Sequence, residues 1–170
     1  MPTGLKSTSA NIAVSFSLAE SAPNTFTESR VDLQLNPLDQ EVFVVTAINL
    51  DPTAPDGIAG ANTSTQVSLT TTSQSAVANI SSNACLATSL SDIRAAGFID
   101  AGVGFTRTSN DTPDTNLEYI GIIATNDFFI QIKGSNNIGA KFLTGRMFGY
   151  RAKASSSIYA ALVQSEVLSS

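Results

Sequence analysis

The sequence predicts an all-β chain folded as one antiparallel β-sandwich, and three observations carry that prediction. Apolar residues recur at every second position in one segment after another, the period of a half-buried strand. Turn residues separate these segments at the short spacing seen in sandwiches and barrels. The polar residues are hydroxyls and amides, not charges. Ser, Thr and Asn fill 52 of 170 positions, against 14% charged residues, and such side chains suit strand surfaces and turns better than helix interiors.

The elements follow in order. Residues 1–10 are polar and are expected to form an N-terminal arm, leaving 11–170 as the sandwich domain. In 11–18, Ile12, Val14, Phe16 and Leu18 alternate with small or polar partners, and a turn follows at Ala22-Pro23-Asn24. In 30–35, Val31, Leu33 and Leu35 oppose Arg30, Asp32 and Gln34, and Asn36-Pro37-Leu38-Asp39 ends that strand. The strongest segment is 41–50, apolar on both faces in its first half and therefore expected at the centre of a sheet. A loop with Pro52, Pro55 and Asp56-Gly57 closes it.

Residues 66–72 are polar enough to predict an edge strand or a surface face, and Val77 with Ile80 one more short strand. Residues 89–96 are the one predicted helix, with Ser89 or Ser91 as N-cap, Asp92 in the first turn and Gly97 as terminator. Strands are then expected at 98–107, with Gly102 and Gly104 marking a bulge, and after an acidic loop (108–116) at 117–124 and 128–133. Asn126-Asp127 is expected to turn a tight hairpin between the last two. Segments 141–152 and 157–168 complete the count as strands, the latter through Tyr159, Ala161, Val163 and Val167.

Chemistry is bounded mostly by what the chain lacks. Without histidine there is no Ser-His-Asp or Cys-His arrangement and no His/Cys zinc site. Cys85 is alone, so no intrachain disulfide forms, and its Ala-Cys-Leu-Ala setting is that of an inert thiol. Neither type of Gly-rich phosphate loop occurs. Of the carboxylate pairs, Asp39 with Glu41, Asp51 with Asp56, and Asp111 with Asp114 sit in turn contexts that account for them without catalysis. The chain is therefore not expected to be an enzyme, and no cofactor is expected.

Asp51, Asp56, Asp111 and Asp114 are weak calcium candidates, since clustered oxygens are what that ion needs, but their spacing matches no calcium loop. Tyr119, Phe128, Phe129, Phe148 and Tyr150 could form an aromatic platform, though strand-like alternation favours a core or subunit contact. No apolar segment reaches membrane-spanning length, and the first ten residues lack the apolar stretch of a secretory signal.

Net charge is −5, with five of the nine cations between 133 and 153. Direct nucleic-acid binding is not expected from that balance. Lys141, Arg146, Arg151 and Lys153 are instead candidates for contact with acidic loops of a neighbouring copy, around Asp51, Asp56, Asp111 or Asp114. Contact of segment 133–153 with a genome or an internal membrane is the alternative.

The block 41–56 (Glu-Val-Phe-Val-Val-Thr-Ala-Ile-Asn-Leu-Asp-Pro-Thr-Ala-Pro-Asp), with Asn62-Thr63-Ser64 and 68–73, resembles small coat proteins of environmental, marine-type viruses. The closing stretch from Gly149-Tyr150-Arg151-Ala152-Lys153 to Val167 resembles them too. The resemblance covers about half the chain and is one of texture and order. It implies a single jelly roll of eight main strands in two sheets, a homo-oligomer that assembles with copies of itself and other virion proteins into an icosahedral shell. It also implies synthesis in a host cytoplasm and residence in the virion. Residues 1–10 depart from the basic arm of many genome-packaging coats, holding only Lys6. A fibre- or pilus-like subunit and a carbohydrate-binding sandwich remain the other two readings.

Overall fold

The computed structural model describes residues 3–95, 97, 105–110 and 117–168. Strands β1 (Leu5–Ser7), β2 (Ile12–Ala19), β3 (Thr27–Asp32), β4 (Glu41–Pro52), β5 (Asn62–Thr70) and β6 (Cys85–Arg94) come first. They are followed by β7 (Phe105–Asn110), β8 (Gly121–Ile123), β9 (Asp127–Ser135), β10 (Phe142–Ala154) and helix α1 (Ser156–Leu168). One sheet runs β2-β10-β4-β8, with β1 continuing the β2 edge along the far part of β10. The other runs β3-β9-β5-β6-β7. All pairings are antiparallel. Eight strands in the orders β2-β10-β4-β8 and β3-β9-β5-β6 are the wiring of a jelly roll. The expected all-β sandwich of jelly-roll type is the fold, with β1, β7 and α1 added to it.

The core lies where inward positions of the two sheets meet: Phe16, Phe43, Val45 and Met147 from the first, Val67, Leu69, Phe128, Ile130 and Ile132 from the second. Phe16 and Phe128 meet edge-on across the sandwich, with ring centres 5.7 Å apart. β4 is interior, as its sequence predicts, and its first half is buried on both faces. Phe43 and Val45 enter this core, while Val42 and Val44 belong to a second cluster beneath α1, with Leu5, Ala152 and Ala154. Opposite Phe148 and Gly149 the register jumps from Ala47 to Val45, so Thr46 is an extra residue, a β-bulge whose hydroxyl donates to the Phe148 carbonyl. After it the alternation resets: Ile48 and Leu50 pack against the core, and Asn49 and Asp51 share the outer face with Val42 and Val44.

Several expectations are corrected. The predicted helix at 89–96 is strand β6 as far as Arg94, paired on both sides by β5 and β7. Its Ser and Asp residues imitate a helix start, but two ladders outweigh a local cap. The predicted strand at 157–168 is helix α1. Ile158, Tyr159, Leu162 and Val163 form its packed face, a spacing of three and four residues that Ala- and Leu-rich sequence favours. The predicted edge strand 66–72 is central β5, between β9 and β6, with Val67 to Thr70 all buried. Two of its hydroxyls find a partner on β9: Ser68 donates to Gln131, whose amide donates to Thr70 and to Glu28.

Val77 and Ile80 form no strand. They lie in a connection that folds back over this sheet, where the Ala78 N–H donates to Ser68 and Gln74 N–H to Glu28. Asn126-Asp127 is not a hairpin turn, because β8 and β9 belong to different sheets. Asn126 instead pins the crossover, its carbonyl accepting from Leu33 N–H and its side chain from Leu35 N–H. Of 117–124 only Gly121–Ile123 is strand. Residues 98–104, including Gly102 and Gly104, and 111–116 lie outside the described residues.

Two substitutions test this packing. Val44→Asp places a carboxylate between β4 and α1 with no partner, against a typical stability of roughly 5–15 kcal/mol, and is expected to yield no folded protein. Phe128→Ala is expected to lower stability by about 3–5 kcal/mol in denaturant melts, through the lost ring and the cavity it leaves.

Candidate functional site

Three connections meet at one end of the sandwich: β2 to β3, β4 to β5, and β9 to β10. Each contributes polar residues to one hydrogen-bonded knot. Glu20, buried at the end of β2, accepts from Lys141 N–H (2.8 Å), Gly134 N–H (3.0 Å) and Thr25 N–H (3.0 Å). A side chain at Gly134 would collide with Asn137 and crowd Glu20, which is why glycine stands there. Asn137 is buried too, accepting from Asp56 N–H and donating to the Ser64 carbonyl. Asn24, in the left-handed region at φ 60°, joins it by accepting from Asn137 N–H and donating to the Asn137 carbonyl.

The charged centre of the knot is an ion pair between Lys141 Nζ and Asp56 Oδ1 at 2.6 Å. Asp56 Oδ2 also accepts from Ile138 and Gly139 N–H. The Lys141 hydrogen bond first, then those from Gly139 and Ile138, lower the Asp56 carboxyl to a pKa of about 2, against partial desolvation that raises it. Asp56 and Lys141 were expected to face a calcium ion or a neighbouring copy. The structure brings them together within one chain, and Lys141 is only 7% exposed.

Arg151 is likewise engaged internally. It pairs with Glu41 at 2.8 Å and donates to the carbonyls of Leu33 and Gln34, tying the β3–β4 link to β10. Arg146 and Lys153 are exposed, but they lie at opposite parts of β10, and Lys133 lies on the other sheet. The five cations of 133–153 therefore do not share one face.

Arg146 and Asp51 do share one. On the outer face of the first sheet the register sets Ser15, Arg146 and Asn49 in one row, and Ser17, Thr144 and Asp51 in the next. These six line an open concavity of about 600 Å³. Its floor is Gly145, where a Cβ would stand 2.5 Å from the Phe16 ring packed beneath. Arg146 Nε donates to the Ser15 hydroxyl at 3.2 Å. Such a surface can exchange hydrogen bonds with polar groups, but it holds no nucleophile with an adjacent base.

A smaller apolar cleft of about 240 Å³ runs between α1 and the β3–β4 link, lined by Leu35, Pro37, Ala124, Asn126, Tyr159 and Val163. Glu166 anchors α1 beside it, its buried carboxylate accepting from Ala124 N–H (2.7 Å) and Thr125 N–H (3.0 Å), two residues of the cleft wall. Of the expected aromatic platform, Phe128 is a core residue and Tyr150 packs under α1. Among the described residues no three of His, Cys, Asp and Glu converge as a metal site would require. Asp111 and Asp114 lie outside the described residues. Comparison with protein-family models, with curated proteins and with solved structures finds no match for this chain.

Sequence reasoning missed Glu20, Asn137 and Glu166, the three buried polar anchors of the two ends. Only a solitary acid inside an uncharged stretch could have flagged Glu20 and Glu166, and nothing distinguishes Asn137 from its neighbour Asn136.

Because the folded Asp56 pKa lies below the ordinary 3.8, its stabilising contribution is complete above that value and is lost as pH falls toward about 2. Thermal melts are expected to show a drop in stability across this window that is smaller in Asp56→Asn. Lys141→Met, which removes the leading partner, is expected to lower the melting temperature at pH 7 and to narrow the acid-induced drop, because the Asp56 carboxyl loses the interaction that lowers its pKa most.

Proposed function

We propose that this chain is a structural subunit of a virus coat that assembles with copies of itself into a closed shell. The observation that carries the reading is the strand wiring, β2-β10-β4-β8 against β3-β9-β5-β6, an architecture used by capsid proteins, lectins and cupins alike. Fold alone does not select among these. The absence of histidine speaks against a metal-binding cupin site, and the resemblance of 41–56 and 149–167 to small coat proteins favours the capsid.

The surface supports the same choice. With 14% charged residues, packed copies would repel one another little, and the ion pairs of Lys141 and Arg151 are spent inside the chain. Large apolar side chains stand exposed at Leu38, Ile80, Ile138 and Phe142, on connections and at a strand end, where neighbouring subunits could cover them. The polar knot and the Arg151 tie hold two loop ends in fixed shape, which lowers the ordering cost of each contact.

A second reading rests on the concavity of Ser15, Ser17, Asn49, Asp51, Thr144 and Arg146, whose donors and acceptors suit a sugar. It lacks an aromatic face for the ring, since Phe16 is turned inward beneath Gly145.

Sedimentation of the purified chain over a wide concentration range tests the proposal. Discrete closed particles many times the 17.7 kDa of one chain are expected. A chain that stays monomeric at the highest concentrations while binding monosaccharides in calorimetry would replace the coat reading with the carbohydrate one.

A further inference from the structure

The sheets have four sides at which another strand could add, and three are blunted. β8 is only three residues long. β3 carries Glu28, Arg30 and Asp32, with Arg30 paired to Asp32 and Asp127. β7 carries Arg107. Short edges and edge charges are the devices by which sheets avoid pairing with other chains. The fourth side is formed by β1, which is three residues long and contains Lys6, and by β2. β2 has eight residues, Ile-Ala-Val-Ser-Phe-Ser-Leu-Ala, without a charge or a proline.

The direction of its free hydrogen-bonding groups can be fixed. Glu20 N–H donates to the Lys141 carbonyl, so Glu20 and Lys141 form a hydrogen-bonded pair of the β2–β10 ladder. In an antiparallel ladder such pairs alternate, which turns Leu18, Phe16, Val14 and Ile12 toward β10. The N–H and C=O groups of Ala13, Ser15, Ser17 and Ala19 therefore point away from the sheet, and among the described residues no strand pairs with that edge. The side chains of these four are small and exposed.

We infer that β2 pairs antiparallel with β2 of a second copy about a two-fold axis at Phe16, joining two sheets into one. This deepens the coat-subunit reading and rests on it. The pairing is self-complementary: Ser15 exchanges backbone hydrogen bonds with the partner's Ser17, and Ala13 with the partner's Ala19. Small side chains leave room for it on the outer face. On the inner face the axis sets Phe16, already buried in each copy, beside the partner's Phe16, while half-buried Val14 meets the partner's half-buried Leu18 and covers apolar surface left open in one copy. One ladder is a small interface, so the pair forms with concentration and gains strength as one of several contacts in a closed assembly.

The test uses the full chain and two variants. Ser15→Pro/Ser17→Pro removes two outward donors without touching the β2–β10 ladder, as proline is tolerated on an outward strand edge. Ala13→Lys/Ala19→Lys leaves the backbone intact and sets like charges opposite each other in the pair. Circular dichroism and melting confirm that each is folded, and sedimentation reads association. The wild type is expected to associate, with both variants weakened about tenfold or more and the lysine variant recovering in high salt. If a folded lysine variant associates as the wild type does, the β2 pairing is wrong while assembly through other surfaces stands. If the wild type never associates, both the pairing and the coat reading fall.

Discussion

The structure depends on the double burial of β4. Val42 to Val45 are each fully excluded from solvent, and no single sheet face can do that. One side requires the opposite sheet, which brings Phe128, Ile130 and Ile132 against Phe43 and Val45. The other requires a cover on the outer face, and α1 supplies it. The helix is held over Val42 and Val44 by its apolar face and by Glu166, which satisfies two backbone donors at the β8–β9 crossover. The bulge at Thr46 ends the doubly apolar stretch by shifting the β4–β10 register one residue, and beyond it the outer face becomes polar while β4 stays paired with β10. One face of one sheet thus has a sealed half under α1 and an open half around Arg146 and Asp51.

The low charge of the chain has a structural counterpart. Work that surface ion pairs often share is carried here by amides, hydroxyls and a few buried or half-buried carboxylates that accept from backbone N–H groups. Glu20, Glu166 and Asp56 each collect two or more such donors, and Gln131 links Ser68, Thr70 and Glu28 within one sheet. Bonds of this kind fix loops in one arrangement and leave little net charge outside. For a protein that packs against its own copies the consequence is a weakly repelling, shape-fixed surface.

How much could be read from the sequence follows from how local each cause is. β2 and β4 were legible because strict alternation and an unbroken Val-Phe-Val-Val run are properties of neighbouring residues. The bulge at Thr46 was not, since it is defined by the partner strand. The C-terminal segment misled because Tyr159 and Val163 fit both a strand's alternation and a helix's packed face, and what decides is the apolar patch of Val42 and Val44 more than a hundred residues earlier. β5 looked like an edge or a surface face because its hydroxyls seemed to need water; the partner of Ser68 and Thr70 is Gln131, from distant strand β9. At the candidate site, Asp56 and Lys141 were each singled out, but their mutual pairing is an outcome of the fold across 85 positions. Asp51 and Arg146 become near neighbours only through the β4–β10 register.

Native-state hydrogen exchange tests the central claim most directly, because it reads the opening energy of each strand separately. The account predicts that the amides of Val42 to Val45 exchange only through global unfolding, while the outward amides of Ala13, Ser15, Ser17 and Ala19 exchange quickly at dilutions where the chain is unassociated. Exchange of Val42 to Val45 through local opening, with protection well below that of β5 and β9, would contradict it.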